Sequence, residues 1–349
     1  MTDTASPPSQ LCILRLSALG DTCHLVPIVR TLQQAWPATR LSWVIGRVEA
    51  KLLRLLPEVE FITIDKRSVW RARRELAAAL AGRRFDALLH MQLSLRASLL
   101  STAIPATRRI GFDRARAREL QWLFTNERIE ARRDEHVLDS FFGFVRALGI
   151  DTRVAAWTLP VPPADRAWAA QRLPGDQPTL IISPCSSHRH RNWPAARYAE
   201  FARHAQQRHG LRVVLCGGRS GLERDYGAQI EALAGVPLLN LIGQDTLPQL
   251  LALLERATVL LGPDSGPAHM ATLVGTPVIG LYAATRLQRS GPYLSRQWCV
   301  DRYELAAQRF RGKPAAQLPW AEKIEEPGVM ELIETAAACE RLDALLAAR

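Results

Sequence analysis

Two short apolar runs, Val259-Leu260-Leu261 and Val278-Ile279-Gly280-Leu281-Tyr282, bracket a small polar turn and a helix-like segment. Continuous apolar runs of this length, bounded by Gly and Pro, fit strands buried on both faces of a parallel sheet. Between them, Asp264-Ser265-Gly266-Pro267 stands where a chain leaves a strand and enters a helix. Ser265 or Asp264 suits the helix cap and Pro267 its first turn. Such a turn lies at the carboxyl edge of a sheet, where N–H groups without helical partners can meet an anion. His269, one turn further in, offers another donor. An ordinary capped turn without a ligand fits these residues equally well.

The same alternation runs through the rest of the chain. Residues 11–16 read as a strand, followed by the glycine-containing turn Ser17-Ala18-Leu19-Gly20-Asp21 and a helix over 22–35. The turn lacks G-x-G-x-x-G, so a dinucleotide fingerprint is absent there. Asp21 reads either as a helix cap or as a functional carboxylate. Strands are predicted over 41–45, 61–64 and 85–90, with helices at about 70–81 and 136–148. His136 on the latter reads as structural. Thr158-Leu159-Pro160-Val161-Pro162-Pro163 is a stiff joint. Beyond it the pattern restarts, with strands over 179–183, 212–216 and 238–241 and helices over 195–209, 223–233 and 246–257. Apolar positions at helical spacing continue from Val329 to Leu346. Alternating strands and helices in two sequential halves predict an α/β chain of two doubly wound parallel sheets. The boundaries fall at 1–160 and 161–328, with a C-terminal helix over 329–349.

At 349 residues and 48% hydrophobic content, the chain can fill two cores. Its six Cys include no C-x-x-C pair and read as small apolar side chains in a reducing compartment. The first ten residues lack a basic leader region, and no run of eighteen apolar residues occurs, so a cytoplasmic location is expected. The net charge of +11 is concentrated in the first half, where 24 Lys+Arg stand against 16 Asp+Glu. Clusters at 66–74, 108–118 and 128–133 would attract polyanions of any kind or form a solvated surface. No recognised nucleic-acid module accompanies them.

The order and spacing of three segments carry a resemblance. They are Arg15-Leu16-Ser17-Ala18-Leu19-Gly20-Asp21 with Pro27, Arg191-Asn192-Trp193-Pro194, and Asp264-Ser265-Gly266-Pro267-Ala268-His269. Together they resemble glycosyltransferase family 9, the lipopolysaccharide heptosyltransferases, over most of the chain. The resemblance implies a GT-B fold, two Rossmann-like domains facing a cleft, with the C-terminal helix returning to the first domain. It implies an inverting transfer of heptose from ADP-heptose to the Kdo inner core of a lipid A precursor. No cofactor or obligatory metal is expected.

In that reading Asp21 is the base that takes the acceptor hydroxyl's proton. Arg191 stabilises the departing diphosphate, and Arg where some relatives have Lys adds bidentate geometry. The donor set is Ser186, Ser187, Arg191, Glu223, Asp264, Ser265, Gly266, Pro267 and His269, with Glu223 on the ribose and Asp264 on the turn or a donor-sugar hydroxyl. Lys66, Arg67, Arg96 and Arg118 would meet an anionic, Kdo-bearing, lipid-linked acceptor and the inner face of the cytoplasmic membrane. His188 and His190 are expected to be solvent-exposed, and residues 285–292 to vary with the donor sugar. Other readings are addition of a second heptose, another nucleotide-sugar transferase, a nucleotide-sugar epimerase, and a non-enzymatic polyanion binder. Nucleic acid is not an expected partner.

Overall fold

The computed structural model describes residues 7–349. The chain divides into two compact units, the first ending at Pro160 and the second spanning Val161–Arg349.

The first unit is built on strands β1 (Gln10–Leu14), β2 (Arg40–Gly46), β3 (Val59–Ile64), β4 (Phe85–His90), β5 (Ala106–Gly111) and β6 (Glu127–Arg128). All pair parallel, in the order β3-β2-β1-β4-β5-β6. Its helices are α1 (Leu19–Cys23), α2 (Val26–Ala35), α3 (Arg47–Leu53), α4 (Val69–Ala79), α5 (Leu95–Ser101) and α6 (Val137–Ala147).

The second unit repeats the plan with β7 (Thr179–Ile182), β8 (Arg212–Leu215), β9 (Leu239–Asn240), β10 (Val259–Pro263), β11 (Val278–Tyr282) and β12 (Val300–Asp301). These also run parallel, ordered β12-β11-β10-β7-β8-β9. The helices are α7 (Pro163–Arg172), α8 (Ala195–His209), α9 (Gly221–Ala234), α10 (Leu247–Arg256), α11 (Gly266–Thr272), α12 (Leu287–Ser290), α13 (Tyr303–Arg311) and α14 (Thr335–Ala347). Counted within its own unit, each sheet has the doubly wound order 3-2-1-4-5-6.

Local chemistry sets these elements. The inner strands β1, β7, β10 and β11 are almost wholly buried, as strands covered on both faces must be. Thr246 and Gln249 form a reciprocal capping box that starts α10. Gly210, at φ +64°, closes α8 in a left-handed conformation that costs glycine little. Gly262 of β10 lies so close to the next strand that an added Cβ would stand 2.9 Å from the Ser183 carbonyl oxygen.

Where sequence and structure differ, the reasons are local. The helix expected over 22–35 is split into α1 and α2, which begins with Pro27 in its first turn. β5 has no sequence signal, because Arg108 and Arg109 resemble surface charge. In the fold, Arg109 spends its donors on the Ile104, Phe124 and Ser101 carbonyls, and Arg108 forks onto Glu127 at 2.8 Å. The C-terminal helix starts only at Thr335, because the Glu331 and Ile333 carbonyls bond outward to Arg197, and Ile333 also to Trp193. Within the second unit this helix is well packed. Its contacts here are with α8, β11 and β12 of its own unit, through Ala338, Leu342 and Leu345 in the core that holds Tyr198, Phe201 and Ala202. The cysteines behave as small core residues: Cys12, Cys23, Cys185, Cys216 and Cys299 are buried and all six are free.

Leu342 is fully buried in that core. Leu342→Ala is expected to lower the unfolding free energy of the second unit by about 2–5 kcal/mol, read by chemical denaturation with a probe in α8 such as Tyr198 fluorescence.

Candidate active site

In a doubly wound sheet the loops leaving the two central strands diverge to opposite faces, and the crevice so opened lies at the carboxyl edge. In the first unit those strands are β1 and β4, and in the second β7 and β10. The sequence motifs fall on these four strand ends.

After β1, Arg15 turns back beneath Asp21 and pairs with its carboxylate. Arg15 is itself held by the Met91 carbonyl at 2.5 Å and lies over the Phe141 ring at 5.2 Å. Gln92, just past β4, accepts from the Leu16 and Ser17 amides at 3.1 and 3.2 Å. Gln121 anchors this arrangement through the His90 carbonyl and Nδ1 and the Gln92 carbonyl. Burial chiefly, and then Arg109, push the His90 imidazolium pKa down to about 3, so His90 is neutral and its Nδ1 accepts. Asp21 is therefore oriented by a buried framework while its side chain stays one-third exposed.

The expected acceptor residues separate into two groups. Lys66 reaches both carboxylate oxygens of Glu49, at 2.8 and 3.1 Å, and Glu49 is buried. A buried carboxylate needs such a partner, which commits Lys66 to the fold. Arg67 forks onto Asp65 at 2.6 Å. Arg96, in the first turn of α5, and Arg118 are exposed. The neighbouring Arg116 serves the interior, pairing with Asp113 and with Glu135.

In the second unit, the loop after β7 ends in a 3-10 turn, Arg189–Arg191, and Trp193 locks it by filling the core and donating to the Ile333 carbonyl at 2.8 Å. Arg191 is buried and gives Nε and Nη2 to Glu325 at 2.7 and 2.5 Å. Its Nη1 lies 3.9 Å from Asp264 Oδ2. Asp264, past β10, is largely enclosed, its side chain 13% exposed. His269 Nε2 stands 3.7 Å from its Oδ1, and Ser290 donates to Oδ2 at 3.1 Å. Burial alone would raise the Asp264 pKa. The His269 hydrogen bond and charge, then Arg191 and Thr285, outweigh it and hold the carboxyl below its ordinary value. Lys323 approaches the same group, and desolvation followed by Arg191 lowers its pKa.

The remaining donor candidates fall out as follows. Ser186 Oγ donates to the His188 carbonyl and accepts from its amide, while Ser187 is exposed. Glu223 accepts from the Gly218 amide at 2.7 Å and the Ser220 hydroxyl at 2.6 Å, closing the loop after β8. Gly266 and Pro267 open α11, which has only seven residues, and Pro267 contributes no N–H. Ser265 caps that helix by position only, since its side chain makes no cap bond. Its Oγ and Asn192 Nδ2 are buried without a hydrogen-bond partner, one beside Asp264 and one beside Arg191 in the chain. Buried polar atoms seek a hydrogen-bond partner, so each could bond an ordered water or a ligand oxygen. His188 is exposed, 3.5 Å from Glu325, and His190 is half-buried. Arg286, in the segment expected to recognise sugar, is instead buried between Tyr303 and Trp320 and donates to the Ala315 and Leu318 carbonyls.

Sequence reasoning missed Glu325, Lys323 and Asp245. The first two lie in a non-periodic stretch where only a contact map reveals them. Asp245 follows β9, and burial chiefly raises its pKa to about 7, with its Oδ2 lacking a partner.

The glycosyltransferase family 9 (heptosyltransferase) profile matches residues 73–320. The chain is 41% identical over 327 residues to the lipopolysaccharide core heptosyltransferase OpsX of Haemophilus influenzae, covering 94% of each. The chain belongs to glycosyltransferase family 9. Membership decides for a transferase over the epimerase and polyanion-binding readings. The fold of this family 9 enzyme agrees. A family 9 structure from Veillonella parvula DSM 2008 superposes with a TM-score of 0.80 at 21% identity, over 99% of this chain and 100% of that one. The E. coli ADP-heptose lps heptosyltransferase II gives 0.70 at 18% identity, over 97% and 99%. The two Rossmann-type units are thus those of a GT-B-like glycosyltransferase.

Asp245 gives this enzyme a pH signature. Its folded-state pKa is raised, so the folded form holds the proton more tightly than the unfolded chain. The resulting stability is fully present below about pH 4 and is lost as pH rises towards 7. Asp245→Asn should flatten this decline and raise stability at pH 8 by up to about 4 kcal/mol, measured by denaturant titration across that range.

Proposed function

We propose that this family 9 glycosyltransferase moves heptose from ADP-heptose to the Kdo residue of the lipopolysaccharide inner core, with inversion at the anomeric carbon. The observation that carries the donor half is the pair of unpartnered buried atoms, Asn192 Nδ2 and Ser265 Oγ, flanking Arg191 and Asp264. A diphosphate supplies acceptor oxygens for both, and Arg191 supplies positive charge where the leaving group gains negative charge. Asp264, with its charge held by His269 and Arg191, suits donor-sugar hydroxyls better than phosphate, because like charges repel. Ser186, Ser187, Glu223, Gly266, Pro267 and His269 complete the proposed donor site.

For the acceptor half, Asp21 takes the proton of the attacking hydroxyl as the new glycosidic bond forms and the bond to ADP breaks. Arg15 fixes its direction, and partial exposure leaves the carboxylate open to substrate. Lys66 and Arg67, committed to Glu49 and Asp65, shape the edge on which Arg96 and Arg118 offer charge to Kdo carboxylates and lipid phosphates. Leu95, Leu120 and Leu123 are exposed beside these two arginines. This mixture suits a peripheral seat on the anionic inner face of the cytoplasmic membrane. No helix among the described residues is long and apolar enough to cross one.

With ADP-heptose and Kdo-lipid A, Asp21→Asn is expected to lower kcat by about 10²–10⁴-fold while leaving ADP binding intact. An Arg191→Ala variant should lose about 10²–10³-fold in kcat together with ADP affinity. Wild-type protein that binds ADP-heptose without transferring it to Kdo would move the proposal to another acceptor. In vesicle sedimentation, the Arg96→Ala/Arg118→Ala pair should weaken binding to anionic bilayers by about 2 kcal/mol, at about 1 kcal/mol per basic residue, and leave neutral vesicles unaffected.

A further inference from the structure

Outside the strand-edge sites, the second unit holds one cluster of metal-ligating atoms among the described residues: His204, His209 and Asp343. His204 and His209 lie in the C-terminal half of α8, and Asp343 faces them from α14. Both imidazoles aim Nε2 at the same oxygen, Asp343 Oδ1, at 2.7 and 2.6 Å. The three ligand atoms all lie within 4.8 Å of one another. The other carboxylate oxygen is held by Arg208 Nε at 3.2 Å, which turns Oδ1 towards the rings. The rings stand edge to face, with centroids 5.6 Å apart.

The geometry points to a divalent zinc site that staples the C-terminal helix to α8. Two imidazole nitrogens and one carboxylate oxygen are a donor set zinc accepts, with a water completing the tetrahedron. Ligand atoms about 2.0–2.2 Å from zinc stand about 3.3 Å apart in a tetrahedron. The observed Nε2–Oδ1 separations of 2.7 and 2.6 Å are therefore about 0.6–0.7 Å short of the zinc-bound arrangement. A small opening of the two helices supplies the difference. Side chains one-fifth to one-third exposed, at an open recess lined by Arg208, His209, Asp343, Ala344, Leu346 and Ala347, leave a path for the ion and its water. Arg208 fills the outer position that commonly fixes a ligating carboxylate, and its own side chain is mostly solvated, so its charge opposes the ion weakly. The staple has a purpose in this fold, because α14 meets the unit mainly through Ala338, Leu342 and Leu345 on one narrow stripe.

The test uses full-length protein made without a histidine tag, stripped with EDTA and titrated with zinc against a chromophoric chelator. One equivalent should bind with micromolar or tighter affinity, and the thermal midpoint should rise with zinc concentration. His204→Ala, His209→Ala and Asp343→Asn should each weaken binding by at least about tenfold and abolish the thermal shift. Asp343→Asn keeps an acceptor for the rings, so its fold and glycosyl transfer are expected to persist. Sub-stoichiometric binding, or equal affinity in Asp343→Asn, would leave only a hydrogen-bonded clasp and overturn the proposal.

Discussion

The inner strands of a parallel sheet covered on both faces have little room for charge, and this constraint places the chemistry of the protein. β1, β4, β7 and β10 are apolar almost throughout, so polar function is confined to the residues immediately beyond their carboxyl ends. Strand order then selects among those ends. Only where neighbouring connections diverge, between β1 and β4 and between β7 and β10, does a crevice open. Asp21, Gln92, Arg191 and Asp264 all follow one of these four strands, and their arrangement is a consequence of topology before it is one of catalysis.

Keeping ions at such an edge requires partners drawn from distant parts of the chain. Arg15 pairs with Asp21 but is itself buried, so it leans on the Met91 carbonyl and the Phe141 ring. Gln121 reaches back across the strand ends to hold His90 and Gln92. In the second unit Trp193 and Arg197 both bond the Ile333 carbonyl. The same contacts that break the C-terminal helix at that point thus fix the loop that carries Arg191. Local irregularity and site geometry have one cause there.

Legibility in the sequence followed periodicity. Strands β4 and β11 and helix α8 are bounded in the fold where apolar spacing and Gly or Pro place them, because burial on both faces leaves a continuous apolar run. The turn motifs at Asp21, Arg191 and Asp264 were visible because they interrupt such runs. β5 was not, since its two arginines are paid out to carbonyls and to Glu127 that no local pattern announces. For the same reason the basic clusters of the first half overstate the free positive surface. Lys66, Arg67, Arg108 and Arg116 each have an acidic partner close in space. Glu325 was illegible on the same ground, since its meaning lies in its ion pair with Arg191, and so was Lys323, whose charge is felt through Arg191.

The Arg191 cluster illustrates what those long-range partners do. A guanidinium left alone at a buried edge would be costly and would choose its own orientation. Glu325 takes Nε and Nη2 on one side of the group, fixing its plane. Nη1 is left 3.9 Å from Asp264, beyond hydrogen-bond reach. A phosphate oxygen can therefore take Nη1 without displacing Glu325. Asp264, with His269 near its Oδ1 and Ser290 bonded to its Oδ2, limits how closely a second negative charge can approach. In the proposed reaction the carboxylates hold the arginine in place for the charge that develops on the leaving diphosphate, so little reorganisation is needed as the bond to ADP breaks.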